Sequence, residues 1–335
     1  MARKTESQFP LLDYVDQLVE DLRGNVTKAL KDWDAEGIHR ARVATRRLKA
    51  ALDLLRPVIS DEQRKPFATV LKKLRRRLGP MRDLDVMIGH LKELRESPAH
   101  AEAVKWLEEH LRLDRERVRE EAADKGSHSR VLSRLGTWWG LREEVLEAKE
   151  AADSLLAESL HLQLDSFAEQ ADRLAAAEES RNGTERQDPH AVRIAGKAFR
   201  YTLEMAAVQG HKLPAAVMSS FKRMQEALGL WHDYVVLTER AMQVSLEDLL
   251  PHHDAPMQAR VLDLARTLLK RSQQHMGQFS RLWAQRGGEV ADAVRSGFPL
   301  TRSLSAPQTD QHPPRSEETA SPAAPPPDAV STAQA

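Results

Sequence analysis

The chain has 335 residues, and its 50 basic residues balance its 50 acidic residues, so net charge gives no indication of a partner. The absence of cysteine excludes disulfide bonds, thiolate catalysis and cysteine-ligated zinc, and the absence of an apolar run as long as a signal peptide or membrane helix predicts a cytoplasmic protein without membrane contact. Aromatic residues make up only 5%, and Ala, Leu, Glu, Lys and Arg dominate, which predicts an all-α fold.

The first cationic element lies between Ile38 and Leu55. From Arg40 to Arg82 there are 14 basic residues and three acidic ones, so positive charge is concentrated here although the whole chain is neutral. At helical spacing, one face carries a histidine and three cations within an arc of about 80°, and apolar residues occupy the opposite face. These four residues are His39, Arg42, Arg46 and Lys49. We predict a helix that packs through one face and presents cations on the other.

A second basic element runs from Leu71 to Leu91. Its basic residues on one predicted face are Lys72, Arg75 and Arg76. Gly79 shares this face, and Asp83 joins it if the helix continues past Pro80, where a kink is the alternative. Because Gly79 has no side chain, either another helix or a ligand can approach the backbone closely at this position.

Both elements recur about 150 residues later, which indicates an internal repeat with two copies. Segment 38–55 aligns without gaps on 189–206, and segment 71–91 aligns on 221–241. The first alignment matches the cationic face with His190, Arg193, Lys197 and Arg200, and the second matches Lys72, Gly79 and Asp83 with Lys222, Gly229 and Asp233. Neither arc of four residues carries an acid, so its cations repel one another unless an anion lies between them.

Changes in composition divide the chain. We predict one helical domain at 1–290 and a disordered tail, rich in Pro, Ala and Ser, at 291–335. Within the domain, a polar stretch at about 178–188 is expected to link an N-terminal half at about 8–177 to a C-terminal half at about 189–290. Each half is long enough to form a helical bundle.

The repeated residue types favour a phosphate ligand. Arginine binds phosphate oxygens bidentately, lysine supplies a point charge, and protonated histidine donates two hydrogen bonds. If Pro189 begins a helix, His190 lies in its first turn, where free N–H groups favour an anion. A ligand that touches both copies must be long, so inorganic polyphosphate is the expected partner, bound with strong salt dependence. Asp83 and Asp233 are expected to orient a neighbouring arginine or histidine.

Other functions have less support in the sequence. No His-x-x-x-His or Glu-x-x-His grouping accompanies the repeats, and the neighbouring arginines repel cations, so no metal is expected. There is no Gly-rich phosphate loop before a lysine and no nucleophile beside a plausible base, so we expect a binding protein without catalytic residues or cofactors. A nucleic-acid-binding protein, a phosphohydrolase acting on polyphosphate and a scaffold that recruits partners through its Pro-rich tail are the alternatives.

The repeated motifs resemble those of the CHAD domain, a histidine-containing α-helical domain. The shared pattern is His-x-x-Arg-[Val/Ile]-x-x-[Arg/Lys] followed by a further cation, then Leu-Gly-x-x-[Arg/His]-Asp, in duplicate and in order over roughly Leu11 to Arg286. The resemblance implies two four-helix bundles related by a pseudo-twofold axis, with a central basic groove or pore. It further implies binding of inorganic polyphosphate and association with polyphosphate granules and their proteins. The implied binding residues are His39, Arg42, Arg46, Lys49, Lys72, Arg82, His190, Arg193, Lys197, Arg200, Lys222 and His232, with Lys73, Arg75, Arg76 and Arg223 as additions.

The second copy is less basic than the first. The differences are Ala191 for Arg40, Ala198 for Arg47, and Gln225 and Glu226 for Arg75 and Arg76. We therefore expect the first copy to dominate affinity. Some CHAD proteins also carry a CYTH-type triphosphate-hydrolysing domain, whose Glu-x-Glu-x-Lys signature is absent here, so a standalone binding protein is expected.

Overall fold

The computed structural model describes residues 9–95, 97–123, 128–179 and 189–300. All regular elements in these ranges are helical, which confirms the predicted all-α fold. The α-helices of the described chain are α1 (Pro10–Thr27), α2 (Ala35–Leu54), α3 (Asp61–Leu94), α4 (Ala101–Ala123), α5 (His128–Leu135), α6 (Trp138–Glu147), α7 (Ala152–Glu179), α8 (Pro189–Val208), α9 (Ala215–Val244) and α10 (Ala255–Gly297). Short π-helical or 3-10 segments follow α1, α6 and α9. None of the described helices is long and apolar enough to cross a membrane.

Local signals place the two helices of the first copy. Asp34 caps α2, because its Oδ2 accepts a hydrogen bond from the Gly37 amide at 2.7 Å. Ser60 caps α3 in the same way. α3 runs on past Pro80, although proline lacks the amide that would bond to the carbonyl one turn earlier. Asp83 therefore lies on the same helix as the basic residues that precede Pro80.

The sequence repeat maps onto matching helices. Its first block lies on α2 and α8, which both have 20 residues, and its second block lies on α3 and α9. α2 and α8 also pack against each other, so the two predicted basic helices are neighbours. Arg47 joins them, because its Nε donates a hydrogen bond to Glu204 Oε2 at 2.8 Å. Burial lowers the pKa of Arg47, but the carboxylate of Glu204 raises it, and the net shift is upward.

Two hydrophobic cores hold the helices together, and both contain residues from both halves of the chain. The larger core includes residues from Phe9 to Phe298. Near its centre Phe167 packs against Phe199, with ring centroids 6.3 Å apart, and against Trp283 at 5.3 Å. The smaller core forms where the C-terminal parts of α3 and α9 meet α4 and the beginning of α10. The halves therefore share their cores.

The packing of α7 differs from the predicted division of the chain. α7 precedes the polar stretch at 178–188, yet it packs mainly against α8 and α10. α7 thus packs with the helices of the predicted C-terminal half, and the division into halves at about 8–177 and 189–290 stays a prediction. A polar stretch in the sequence does not determine which helices pack together. The apolar face of α7, on which Leu160 and Phe167 are fully buried, determines the helices that α7 contacts. Residues 180–188 of the predicted linker lie outside the described ranges.

The last helix extends beyond the predicted domain end at 290. α10 continues to Gly297, and apolar residues at helical spacing bury their side chains at Val290, Val294 and Phe298. The predicted tail at 291–335 therefore begins too early. The remainder of that tail, from residue 301 onward, lies outside the described ranges, and the pseudo-twofold relation of the halves stays a prediction.

Candidate anion-binding site

The basic faces of α2 and α8 meet at a cavity of about 260 Å³, which we call the central cavity. α3 and α9 contribute the rest of its polar wall. The charged and histidine residues that line it are His39, Arg42, Arg46, Arg82 and Asp83 from the first copy and Arg193, Lys197, His232 and Asp233 from the second. Five arginine or lysine side chains thus face two carboxylates, so the cavity carries an excess of positive charge.

A second cavity of about 490 Å³, which we call the outer cavity, adjoins the first. The two share Arg42, Arg46, Arg193 and Lys197. The outer cavity adds the predicted residues Lys49, Arg75, Arg76 and His190. The same four cations, two from each copy of the repeat, line both cavities, and we call the two neighbouring cavities together the cleft.

Arg42 is held firmly in this cleft, with only 8% of its surface exposed. Its Nη1 donates a hydrogen bond to the backbone carbonyl of Arg75 at 3.2 Å, and its Nη2 lies 3.6 Å from Asp83 Oδ1. Burial, against the attraction of Asp83 and with the help of Arg46 and Arg82, lowers the pKa of Arg42 to about 10. Asp83 therefore contacts a predicted binding arginine, at a distance longer than a normal hydrogen bond.

Arg193 and Lys197 on α8 are also largely buried. Burial lowers the pKa of Arg193, against the attraction of Asp233. Burial, reinforced by the positive charges of Arg193 and Arg46, lowers the pKa of Lys197 to about 7. Within the described part of the chain, no carboxylate lies within ion-pairing distance of Arg193 or Lys197. An anion in the cleft would supply the missing counter-charge.

Three predicted histidines border the cleft. Burial lowers the pKa of His39, and the positive charge of Arg82 adds to this shift. Burial also lowers the pKa of His232, with a further contribution from Arg193. The ring of His190 lies edge-on to that of His232, with centroids 5.4 Å apart. A bound anion would favour the protonated imidazolium, which donates two hydrogen bonds.

Asp233 has a partner that the sequence did not indicate. Its Oδ2 lies 3.5 Å from Nε2 of His90, on α3 of the other copy. Asp233 is expected to orient a neighbouring arginine or histidine, and its nearest such side chain is this histidine. On Arg193 it acts through longer-range attraction, which opposes the lowering of the pKa of Arg193. The residue aligned with His90 is Arg240, which pairs with Asp114. The aspartates of the two repeated motifs therefore have different neighbours.

Acids one turn beyond the basic faces neutralise part of the predicted site. Lys49 pairs with Asp53, and Arg200 Nε lies 3.5 Å from Glu204 Oε1. Lys222 Nζ lies 3.7 Å from the carboxylate of Glu226. The basic arcs of α2 and α8 themselves carry no acid, but the last cation of each, Lys49 or Arg200, lies beside an acid one turn later. Arg200 and Lys222 line neither the central nor the outer cavity.

Three further predicted residues also lie outside the two cavities. Lys73 lines a separate groove with Lys65 and Arg134. Arg223 is exposed on α9. Lys72 lines a smaller recess beside the outer cavity. Among the described residues, no group of three or more histidine, aspartate or glutamate side chains could hold a metal ion.

Gly79 is required for the position of Arg42. A Cβ atom at this residue would lie 2.9 Å from Arg42 Nη1, so the guanidinium would have to move away. We expect Gly79→Ala to weaken polyphosphate binding by about tenfold, the equivalent of one charged hydrogen bond, while leaving the fold intact. Titration with long-chain polyphosphate measures the change. Gly89→Ala on the same helix is the control, since its Cβ would meet nothing within 4 Å. Equal affinities of the two variants would show that the Arg42 position is unimportant.

Comparison with known proteins agrees with the fold and the motifs. The family model of the CHAD domain matches residues 13–242. The chain is similar to the crystal structure of the CHAD domain from the plant Ricinus communis, with a TM-score of 0.54 and 21% identity over 88% of this chain and 91% of that one. It is also similar to PptA from Streptomyces chartreusis, with a TM-score of 0.48 and 17% identity over 81% of this chain and 99% of that one. No curated protein sequence matches.

The family match covers the part of the chain that builds the cleft. It includes α2, α3 and α8 in full and nearly all of α9. The charged residues of the central cavity, from His39 to Asp233, all fall within it. The chain therefore belongs to the CHAD domain family.

Proposed function

We propose that this protein binds inorganic polyphosphate in the cleft between α2 and α8. The observation that carries the proposal is the convergence of five arginine and lysine side chains from both copies on one cavity that has only two carboxylates. Guanidinium and ammonium groups are the protein groups best suited to phosphate oxygens. Because they come from both copies of the repeat, a ligand that contacts all of them lies between α2 and α8.

A polymer fits the cleft better than a single phosphate. The central and outer cavities adjoin through four shared cations, so the positive surface continues well beyond one phosphate group. An extended polyanion can contact all of these cations at once and releases its condensed counterions when it binds. The function is therefore retention of a phosphate chain, without making or breaking covalent bonds in it.

Selectivity for polyphosphate over nucleic acid is the first test. The full chain is titrated with long-chain polyphosphate and with single-stranded RNA of matched charge, each at two salt concentrations. We expect tighter binding of polyphosphate, with affinity that falls steeply as salt increases. Equal affinity for RNA would instead favour a general nucleic-acid-binding protein.

A hydrolase acting on the same ligand is the enzymatic alternative. Incubation of the protein with polyphosphate and Mg²⁺, followed by measurement of released orthophosphate, distinguishes the two. We expect no release above the rate without protein. Release that disappears on substitution of His39 would replace the binding proposal by a catalytic one.

Inside a cell, the same affinity would place the protein at polyphosphate granules and beside the proteins that collect there. A fluorescent fusion of the full chain tests this in cells that accumulate polyphosphate. The fusion is expected to form foci that coincide with the granules and that disperse when the cleft cations are removed.

A further inference from the structure

The cleft has an extension on one side. A recess of about 150 Å³ lies beside the outer cavity and shares Lys49, Asp53 and Arg75 with it. Arg64 and Lys72 complete its charged lining. We call this the side recess. Four cations and one carboxylate line it, so the positive surface of the cleft continues into the recess.

Arg64 was not among the residues predicted from the sequence. Its side chain is only 14% exposed, and its Nε donates a hydrogen bond to Asp61 Oδ1 at 3.1 Å, which fixes the guanidinium at the beginning of α3. The same carboxylate also pairs with Lys65. Asp61 and the neighbouring Glu62 match the charges of Arg64 and Lys65, and Asp53 pairs with Lys49. The net positive charge of the recess therefore corresponds to Lys72 and Arg75.

The second copy lacks two of the recess cations. At the same offset of 150 residues, Pro214 stands in place of Arg64 and Gln225 in place of Arg75. Lys222, which aligns with Lys72, lies beside Glu226 on its own helix. The positive surface therefore leaves the cleft toward the first copy, whereas its counterpart in the second copy is interrupted.

We propose that the side recess is a further subsite for the phosphate chain, so that polyphosphate lies along one track from the central cavity through the outer cavity to the recess. This rests on the proposed function. α2 carries residues of all three cavities, and from His39 to Asp53 its axis rises by about 21 Å at 1.5 Å per residue. A chain of three phosphates is much shorter than this track. The protein therefore binds polyphosphate asymmetrically and favours chains that reach the recess.

The test compares two double variants of equal charge. Arg64→Gln with Lys72→Ala removes two of the four recess cations, and Arg117→Ala with Arg119→Ala removes two exposed cations of α4 that line none of the three cavities. Each is titrated with long-chain polyphosphate and with tripolyphosphate, and thermal unfolding confirms that both are folded. We expect the recess variant to lose about tenfold or more in affinity for the long chain and to bind tripolyphosphate unchanged, because the short chain occupies the central cavity. The α4 variant should lose less than threefold for either ligand.

The outcomes separate this inference from the function on which it rests. If the unmodified protein does not bind long-chain polyphosphate, the proposed function is wrong. If it binds and both double variants lose the same affinity, the recess is not a subsite, although the function stands. An equal loss for long and short chains in the recess variant would also overturn the track, because it would show a general change in charge or in the central cavity.

Discussion

Simultaneous replacement of Arg42, Arg46, Arg193 and Lys197 by alanine is expected to reduce the affinity for long-chain polyphosphate by at least about a thousandfold. These four side chains line both the central and the outer cavity, so every path through the cleft passes them. Loss of each charged contact costs about 1 kcal/mol or more, and four such losses correspond to about three orders of magnitude. The slope of log affinity against log salt should also fall, by about three, because fewer counterions are released.

A second fourfold variant controls for the change in net charge. Arg117, Arg119, Arg173 and Arg286 lie outside the cleft and pair with acids on their own helices. Their replacement by alanine removes the same charge but should change the affinity less than tenfold. If the two variants lose affinity equally, the protein binds polyanions through its overall surface and the cleft has no special role. Circular dichroism and thermal unfolding establish that both variants remain folded.

Lys197→Met is expected to make the free protein more stable by about 2 kcal/mol at pH 6 while weakening polyphosphate binding. Burial, together with Arg193 and Arg46, disfavours the Lys197 ammonium and lowers its pKa to about 7 from 10.5. Each pKa unit corresponds to about 1.4 kcal/mol, and the partial exposure of the side chain reduces the total. Methionine fills a similar volume without charge, so the repulsion disappears.

The advantage of the methionine variant should depend on pH. Below pH 7 Lys197 is protonated in both the folded and the unfolded chain, so the full destabilisation is present. Between about pH 7 and 10.5 the folded protein releases this proton while the unfolded chain keeps it, so the free energy of unfolding rises with pH. Urea unfolding at pH 6 and pH 9 measures the difference. Equal stability of variant and unmodified protein at pH 6 would show that the ammonium is not destabilised by its surroundings.

The same proton should be taken up when the ligand binds. A phosphate chain beside Lys197 favours the ammonium and raises the pKa, so affinity should be highest below pH 7 and fall as pH rises above it. Calorimetry at pH 8 in two buffers of different ionisation enthalpy detects the uptake. The uptake should be absent in Lys197→Met, and its persistence there would assign the proton to another group.

The part of the site that the sequence predicted best is the part governed by helical spacing. His39, Arg42 and Arg46 share one arc of α2, and the repeat places Arg193 and Lys197 on the matching arc of α8, so all five line one cavity. The repeat does not say which faces meet in space. It therefore could not show that α7 packs against α8 and α10, a contact decided by the apolar face of α7.

Side-chain pairing was the least predictable feature. The alignment matches Lys72 with Lys222, but Glu226 one turn further along α9 pairs with Lys222. Arg64 lies outside the repeated blocks, and only the fold of α3 against α2 brings it to the recess that also contains Lys49. Position in a motif identifies equivalent residues, whereas the acids around each residue determine whether its charge is available.

The shared cores also determine how the molecule responds to its ligand. Because both cores contain residues from both halves, neither half can unfold while the other keeps a complete interior, so we infer a single cooperative transition. A phosphate chain held in the cleft, as we propose, would bind the folded state in preference to the unfolded chain and would thereby stabilise every helix that contributes to these cores. In a cell, the folded fraction and the lifetime of this protein would thus follow the supply of its own ligand.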